Sequence, residues 1–176
     1  ALVAENPEST VVAEYKPLIR RETAFQSEAE LEKAFIEQLK THPKTDAGGY
    51  WHKKIYEHQM WLDGIFMAST YMVQYAKEFN APEWFDVAAF QTKLIYEKTL
   101  DPATGLLMHA WDESRKQKWA DPNTGLSSQF WGRSVGWYAM AVVDVLDFLP
   151  ADHPQSAVHP KNRLKTCQTC HNDKKP

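Results

Sequence analysis

Five stretches of this chain hold side chains that could do chemistry. Asp63 lies in QMWLDGIF, flanked by Trp61, Leu62, Ile65 and Phe66. Burial among apolar groups disfavours the charged form of a carboxyl and so raises its pKa. A carboxylic acid still partly protonated near neutral pH can give a proton and later take it back. Gly64 leaves space beside it where a ligand could approach. The other reading is an aspartate that caps or hydrogen-bonds a neighbouring loop. His109 and Asp112 fall in LLMHAWDES. If Leu106 to Trp111 is extended, His109 and Trp111 share a face, one to donate to a sugar hydroxyl and one to stack on a sugar ring. Alternatively His109 and Asp112 pair to brace a hairpin, which is the first reading for Asp112. As a second carboxylate beside Asp63 it is the reserve candidate, since many glycosidases use two.

Arg133 and Trp137 in FWGRSVGWY are four apart and share a helix face. A guanidinium fork next to an indole suits a ligand with a carboxylate and an apolar ring face. An arginine stacked on tryptophan as a surface brace fits the spacing equally well. His52 in GGYWHKK is a loop histidine whose neighbours, two glycines and Trp51, make it a candidate as well. Cys167-Gln-Thr-Cys-His171 has the spacing of covalent haem attachment. A haem also needs a folded pocket and an axial ligand, which sixteen polar terminal residues do not provide, and no fourth metal ligand is evident. No P-loop, dinucleotide fingerprint or Ser–His–Asp order is present.

The elements that must position these groups are mostly helical. Ser27 with Glu30 forms a capping box, and Leu31, Ala34, Phe35 and Leu39 follow at helical spacing until His42-Pro43. A glycine- and aromatic-rich loop, Lys44 to His58, leads to a second helix from about Gln59 to Phe79. Asn80-Ala-Pro82 closes it, a third runs from about Pro82 to Thr99, and a fourth from about Phe130 to Leu149, ahead of Pro150. Between the third and fourth, Asp101-Pro-Ala-Thr-Gly105 is echoed by Asp121-Pro-Asn-Thr-Gly125. Both are turn sequences, with proline presetting one angle and glycine accepting a positive one. Leu106 to Trp111 and Lys116 to Ala120 are expected as the strands of a small hairpin, with Asp112 to Arg115 as its bend. The class is all-α with a minor β excursion.

Composition narrows the partners. The chain has 176 residues with 20 Lys+Arg against 23 Asp+Glu, one domain's worth of ordinary globular sequence. Its mild acidity gives no basic footprint for nucleic acid, and no apolar run approaches the roughly 20 residues of a membrane helix. Two cysteines make no disulfide framework, and all seven tryptophans fall between Tyr50 and Tyr138. No charged-then-apolar leader is visible from Ala1 to Thr10, which slightly favours a cytoplasmic location unless a leader has been removed.

GGYWHKKIY, QMWLDGIFMA, the long block from Asp101 to Pro150 and Asp152-His-Pro154, in order and properly spaced, resemble the unsaturated uronyl hydrolases, most closely the unsaturated rhamnogalacturonyl hydrolases of glycoside hydrolase family 105, relatives of family 88. The match runs from about Leu39 to Pro154. The resemblance implies part of an (α/α)6 toroid (six-hairpin glycosidase type) whose inner helix ends and loops form a substrate funnel. It implies a substrate of unsaturated uronic-acid oligosaccharides from pectin-type lyases, and no metal or organic cofactor. One aspartic acid protonates the C4=C5 double bond at C4, and water deprotonated by the resulting carboxylate adds at C5. On that pattern Asp63 takes the place of the general acid/base, and His52, His109, Arg133 and Trp137 line the pocket.

A complete toroid has twelve helices and needs about 200 residues at mean helix and loop lengths, against four here. The expectation is therefore a partial chain: residues 1–26 a weakly ordered lead-in, 27–155 a slice of the toroid, and 156–176 a polar basic tail. Another aspartate that the family draws from an earlier helix has no counterpart in residues 1–26. A non-catalytic carbohydrate-binding or vestigial fragment is the alternative function, and a small electron carrier using the Cys167–His171 motif is a third.

Overall fold

A computed structural model describes residues 28–155. The lead-in, Ser27 of the capping box, and the tail with Cys167, Cys170 and His171 lie outside the described residues. Helix α1, Glu28–Thr41, ends one residue before His42-Pro43, with Lys40 in its last turn where a cation meets the negative end of the helix dipole. It belongs to a unit that closes at Thr41, and a second unit begins at His42.

The second unit holds β1 (Gln59–Trp61), α2 (Leu62–Glu78), α3 (Glu83–Thr99), β2 (Ala110–Asp112) and α4 (Gly132–Phe148). Helix α2 ends as Asn80 turns to a φ of 50° and the Ala81 amide reaches back to the Ala76 carbonyl at 3.0 Å, the left-handed closure that asparagine tolerates. Pro82, with φ already at −61°, then starts α3. Helix α2 packs against both α3 and α4. Met60, Leu62, Ile65, Leu94, Ile95, Ala141 and Val142 meet in the core, where each large apolar side chain contributes about 1.5–3 kcal/mol. Tyr138 joins α4 to α3 by donating its hydroxyl to the Thr92 carbonyl at 3.0 Å, and burial raises its phenol far above the ordinary range. Among the described residues no helix is long and apolar enough to cross a membrane.

The β excursion differs from the local hairpin expected. Ala110–Asp112 pairs antiparallel with Gln59–Trp61, in the register Gln59 to Asp112, Met60 to Trp111 and Trp61 to Ala110. The second helix accordingly starts at Leu62 rather than Gln59. Three residues are too few for periodicity to tell strand from helix, and the partner strand lies beyond a whole helix pair. Lys116 to Ala120 is loop, with Ala120 bridged to Ser127.

The two echoing turns do fold alike. In each, the glycine amide donates to the first aspartate's carbonyl at 2.8 Å, and the aspartate's amide donates to the residue after the glycine, Leu106 at 2.9 Å or Leu126 at 2.8 Å. Gly105 and Gly125 take φ of 72° and 75°. The turns' own N–H and O–H groups hold the carboxyls of Asp101 and Asp121 below the usual range. Their surroundings differ. A Cβ on Gly105 would meet open space, whereas one on Gly125 would fall 2.0 Å from the Asp112 carbonyl oxygen.

Candidate active site

Asp63 stands in the first turn of α2, its side chain only 13% exposed. The start of a helix presents unpaired amides and a positive dipole end, which favour an acidic group. Across from it, the first turn of α4 brings two neighbours. The Ser134 hydroxyl donates to Asp63 Oδ2, and Arg133 Nε lies 3.7 Å from Oδ1. Ser134 is fully buried, while the Arg133 side chain is 60% exposed. One carboxylate oxygen therefore faces the protein interior and the other faces a solvent-exposed cation.

The loop from Lys44 to His58 delivers His52. It is tied to α3 by Gln91, which accepts from the Tyr50 amide and donates to the Gly48 carbonyl, each at 2.9 Å. Glu113, next to β2, accepts from the amides of Asp46 at 2.6 Å and Ala47 at 2.8 Å. The His52 amide bonds to the Gln59 carbonyl at 2.7 Å, which lays the imidazole on Trp61 with ring centres 4.8 Å apart and planes 4° from parallel. Tyr56 lies parallel to both. The space beside Gly64 is taken by His52 itself rather than left for a ligand: a Cβ on residue 64 would come 2.9 Å from His52 Nδ1. That nitrogen is buried and has no hydrogen-bond partner among the described residues.

His109 arrives from the other side, just before β2. Its Nδ1 bonds to Ser127 Oγ at 2.7 Å, and not to Asp112. Its amide donates to the Gln129 carbonyl at 3.0 Å. Burial is the main cause that lowers the pKa of both His52 and His109, and the charge of Asp63 pulls each partly back up. Both rings are thus neutral near pH 7 and both feel the same carboxylate. Trp111, expected on the sugar-binding face with His109, is a core residue instead, with Nε1 donating to the Thr124 carbonyl at 3.0 Å. The indoles around His109 are Trp61 at 5.5 Å, Trp119 at 5.5 Å and Trp131 at 6.1 Å.

Asp112 is excluded as a second acid. It is fully buried, and its Oδ1 accepts from the amide and hydroxyl of Ser114 while its Oδ2 accepts from the amides of Lys116 and Gln117. The reserve candidate is a loop brace. Arg133 and Trp137 do lie one turn apart on α4, yet the indole under the guanidinium is that of Trp131, with Cζ 3.6 Å from the ring centre. Trp137 packs on Phe66 of α2 at 4.8 Å. Asp63–Arg133 and Phe66–Trp137 are thus successive contacts between the same two helices.

Asp63, His52, His109 and Arg133 come together, and Trp137 stands one turn deeper along the α2–α4 contact. Sequence reasoning missed Ser134, Trp131, Trp119 and Trp61 as members of this group. The one signal that could have flagged the indoles was the crowding of every tryptophan into one half of the chain. Among the described residues no three His, Cys, Asp or Glu side chains are grouped as a metal ion would require. A carboxylate with one oxygen fixed, flanked by neutral imidazoles, a guanidinium and aromatic walls, is fitted to move a proton to and from a ring with apolar faces and polar edges.

Known proteins are similar to the chain in sequence and in fold. The chain is 38% identical over 97 residues to a 24.9 kDa protein in the picA locus of Rhizobium radiobacter, covering 55% of this chain and 41% of that protein. It is 27% identical over 100 residues to the unsaturated rhamnogalacturonyl hydrolase YesR of Bacillus subtilis, covering 57% of this chain and 27% of YesR. A solved glycoside hydrolase from family 105 of C. acetobutylicum superposes with a TM-score of 0.77 at 37% identity, over 90% of this chain and 44% of that one. The chain thus spans less than half the length of these relatives, and its class is the expected one, all-α and part of an (α/α)6 toroid. The sequence pattern of Glycosyl Hydrolase Family 88 matches residues 14–169, and the chain belongs to that family.

Proposed function

We propose that the protein is a hydrolase that removes a 4,5-unsaturated uronic acid, galacturonyl or glucuronyl, from the non-reducing end of pectin-derived oligosaccharides. The observation that carries this reading is the sheltered Asp63 carboxyl with two neutral imidazoles and Arg133 around it. The activity that names YesR supports the substrate class. In this reading Asp63 is the catalytic residue. Its proton goes to C4 of the vinyl ether, positive charge develops at C5, and the carboxylate left behind deprotonates the water that adds there. The hemiketal opens and releases the rest of the sugar chain, while the proton taken from water restores the acid. His52 and His109, being neutral, hydrogen-bond substrate hydroxyls. Arg133 meets the uronate carboxylate, and Trp137 backs the α2–α4 face that holds Asp63. Residues 27–155 act as one slice of the toroid.

An unsaturated disaccharide should lose its double-bond absorbance when mixed with the protein, and Asp63→Asn should abolish that loss. A second reading is carbohydrate binding without turnover, which the indoles of Trp61, Trp119 and Trp131 around His109 would also serve. Binding of the disaccharide with no loss of absorbance would establish that reading and overturn the first.

A further inference from the structure

Ser127 has no part in the mechanism above, yet its hydroxyl closes a circuit of hydrogen bonds around His109. The His109 amide donates to the Gln129 carbonyl at 3.0 Å. The Gln129 amide donates to Ser127 Oγ at 3.1 Å. Ser127 Oγ in turn meets His109 Nδ1 at 2.7 Å. The circuit is also tied to the elements around it. The Ser127 amide donates to the Ala110 carbonyl of β2 at 3.0 Å, and the His109 carbonyl accepts from the Leu62 amide at 3.1 Å. Leu62 opens α2, one residue ahead of Asp63.

The protons around this circuit decide which way its last bond runs. A serine hydroxyl has one proton to give and two lone pairs to offer. Ser127 is 1% exposed, and among the described residues its hydroxyl has two partners, the Gln129 amide and His109 Nδ1. The amide can only donate. If Nδ1 were protonated as well, two N–H groups would converge on Oγ and the hydroxyl proton would be buried without an acceptor, which is costly. With Nδ1 bare, the hydroxyl donates to it and every group is satisfied. The Gln129 carbonyl is the other acceptor near the ring, and it favours the charged form. It already takes the His109 amide, however, and no ring nitrogen of His109 bonds to it among the described residues. A bare Nδ1 puts the proton of the neutral ring on Nε2. That nitrogen has no hydrogen-bond partner among the described residues and is not one of their buried, unpaired atoms, so it opens to solvent.

We propose that Ser127 is a positioning residue: by donating to Nδ1 it holds His109 in the Nε2–H tautomer, so that His109 meets a substrate oxygen as a donor. The proposal rests on the uronyl hydrolase reading for the identity of that substrate, while the tautomer is testable apart from it. In the full chain at pH 8, where the buried ring is neutral, long-range proton–nitrogen correlation should give His109 Nδ1 the shift of a bare ring nitrogen and Nε2 that of an N–H. In Ser127→Ala the two shifts should move toward each other as both tautomers become populated. Ser127→Thr, which keeps the hydroxyl, should retain the parental pair. With an unsaturated disaccharide, Ser127→Ala should raise KM about fivefold with a smaller change in kcat. That rise should vanish in a His109→Gln background, because the serine acts through the ring. A protonated Nδ1 in the parent overturns the proposal, and this arm holds even if Ser127→Ala does not fold. Shifts unchanged in a folded Ser127→Ala, or a KM effect that persists in full without His109, overturn it too. If the disaccharide is not turned over, the hydrolase reading fails, and the spectra still decide the tautomer.

Discussion

His52 and Gly64 share one small space: a Cβ on residue 64 would sit 2.9 Å from His52 Nδ1. The missing side chain lets the imidazole slide over the start of α2 and remain parallel to Trp61. Gly64→Ala sets two effects against each other. Alanine favours the helix by about 1 kcal/mol, and the crowded ring costs about 1–3 kcal/mol unless it swings away. The ring is the softer partner, so the urea midpoint should correspond to a loss under about 2 kcal/mol. Turnover should fall at least about tenfold as His52 leaves its place. Full activity in a folded Gly64→Ala variant would show that the position of His52 is immaterial.

Ser134 reaches Asp63 from 71 residues away in sequence and has its hydroxyl wholly inside the protein. Removing it leaves the Asp63 carboxyl free to turn about its last torsion. Ser134→Ala should cost about 1 kcal/mol of stability, as for one lost hydrogen bond. It should lower kcat by about tenfold while leaving KM nearly unchanged, because the orientation of the acid and not the grip on substrate is lost. Ser134→Thr, which keeps the hydroxyl, should recover most of kcat. An equal rise in KM would instead place Ser134 in substrate binding.

Asp112 tests the opposite case, a buried carboxylate with a structural task. Its deletion strands the amides of Ser114, Lys116 and Gln117 at once. Asp112→Ala should destabilise the fold by about 3 kcal/mol or more, since charged hydrogen bonds are worth about 1.5–3 kcal/mol each and stranded donors add a penalty. Denaturant unfolding measures this. A variant of parental stability with turnover abolished would return Asp112 to the list of acids.

Much of this arrangement was readable before any coordinates. Helix α1 announces itself by apolar spacing, and α1, α3 and α4 by the prolines that bound them, because the forces that set them are local. Asp63 and Arg133 stand out because an acid or a cation among apolar neighbours is costly and needs a reason. The pairing of Gln59–Trp61 with Ala110–Asp112 left no mark, since a three-residue strand gets its hydrogen bonds from a partner that no local pattern names. The same holds for Ser134 and for the exchange of partners that gives Arg133 to Trp131 and Trp137 to Phe66. Spacing of four on a helix fixes a shared face and says nothing of which indole the opposing loops will supply. Asp112 was legible only as a choice, settled by the four donors the following loop turns back on it.

The two histidines give stability a dependence on pH whose sign follows from burial. Unfolded, His52 and His109 titrate near 6.5; folded, both titrate lower. As pH falls through about 6.5 the unfolded chain takes up protons that the folded chain refuses, and the balance moves toward unfolding. Their contribution is complete above that pH and is lost on the acid side, down to the folded values. The urea midpoint should therefore fall between pH 7.5 and pH 5.5. It should fall less in a His52→Gln, His109→Gln double variant. An identical fall in both proteins would assign the effect to other groups.

Arg133 combines high exposure with two close partners, Asp63 Oδ1 at 3.7 Å and the Trp131 ring at 3.6 Å. An exposed ion pair contributes about 0–1 kcal/mol, and an exposed stack on an indole about 0.5–1 kcal/mol. The fold therefore has little to lose from Arg133→Ala, and its unfolding free energy should change by no more than about 1 kcal/mol. A uronate entering the site would meet the same guanidinium with its water partly removed, where a charge-assisted, forked bond is stronger. The variant should raise KM at least about tenfold, with a smaller effect on kcat. Arg133→Lys restores the charge without the planar fork or the flat stack on Trp131, and should recover only a small part of the binding. Equal losses of stability and of binding in Arg133→Ala would reduce Arg133 to a surface brace, and full recovery by lysine would show that charge alone is recognised.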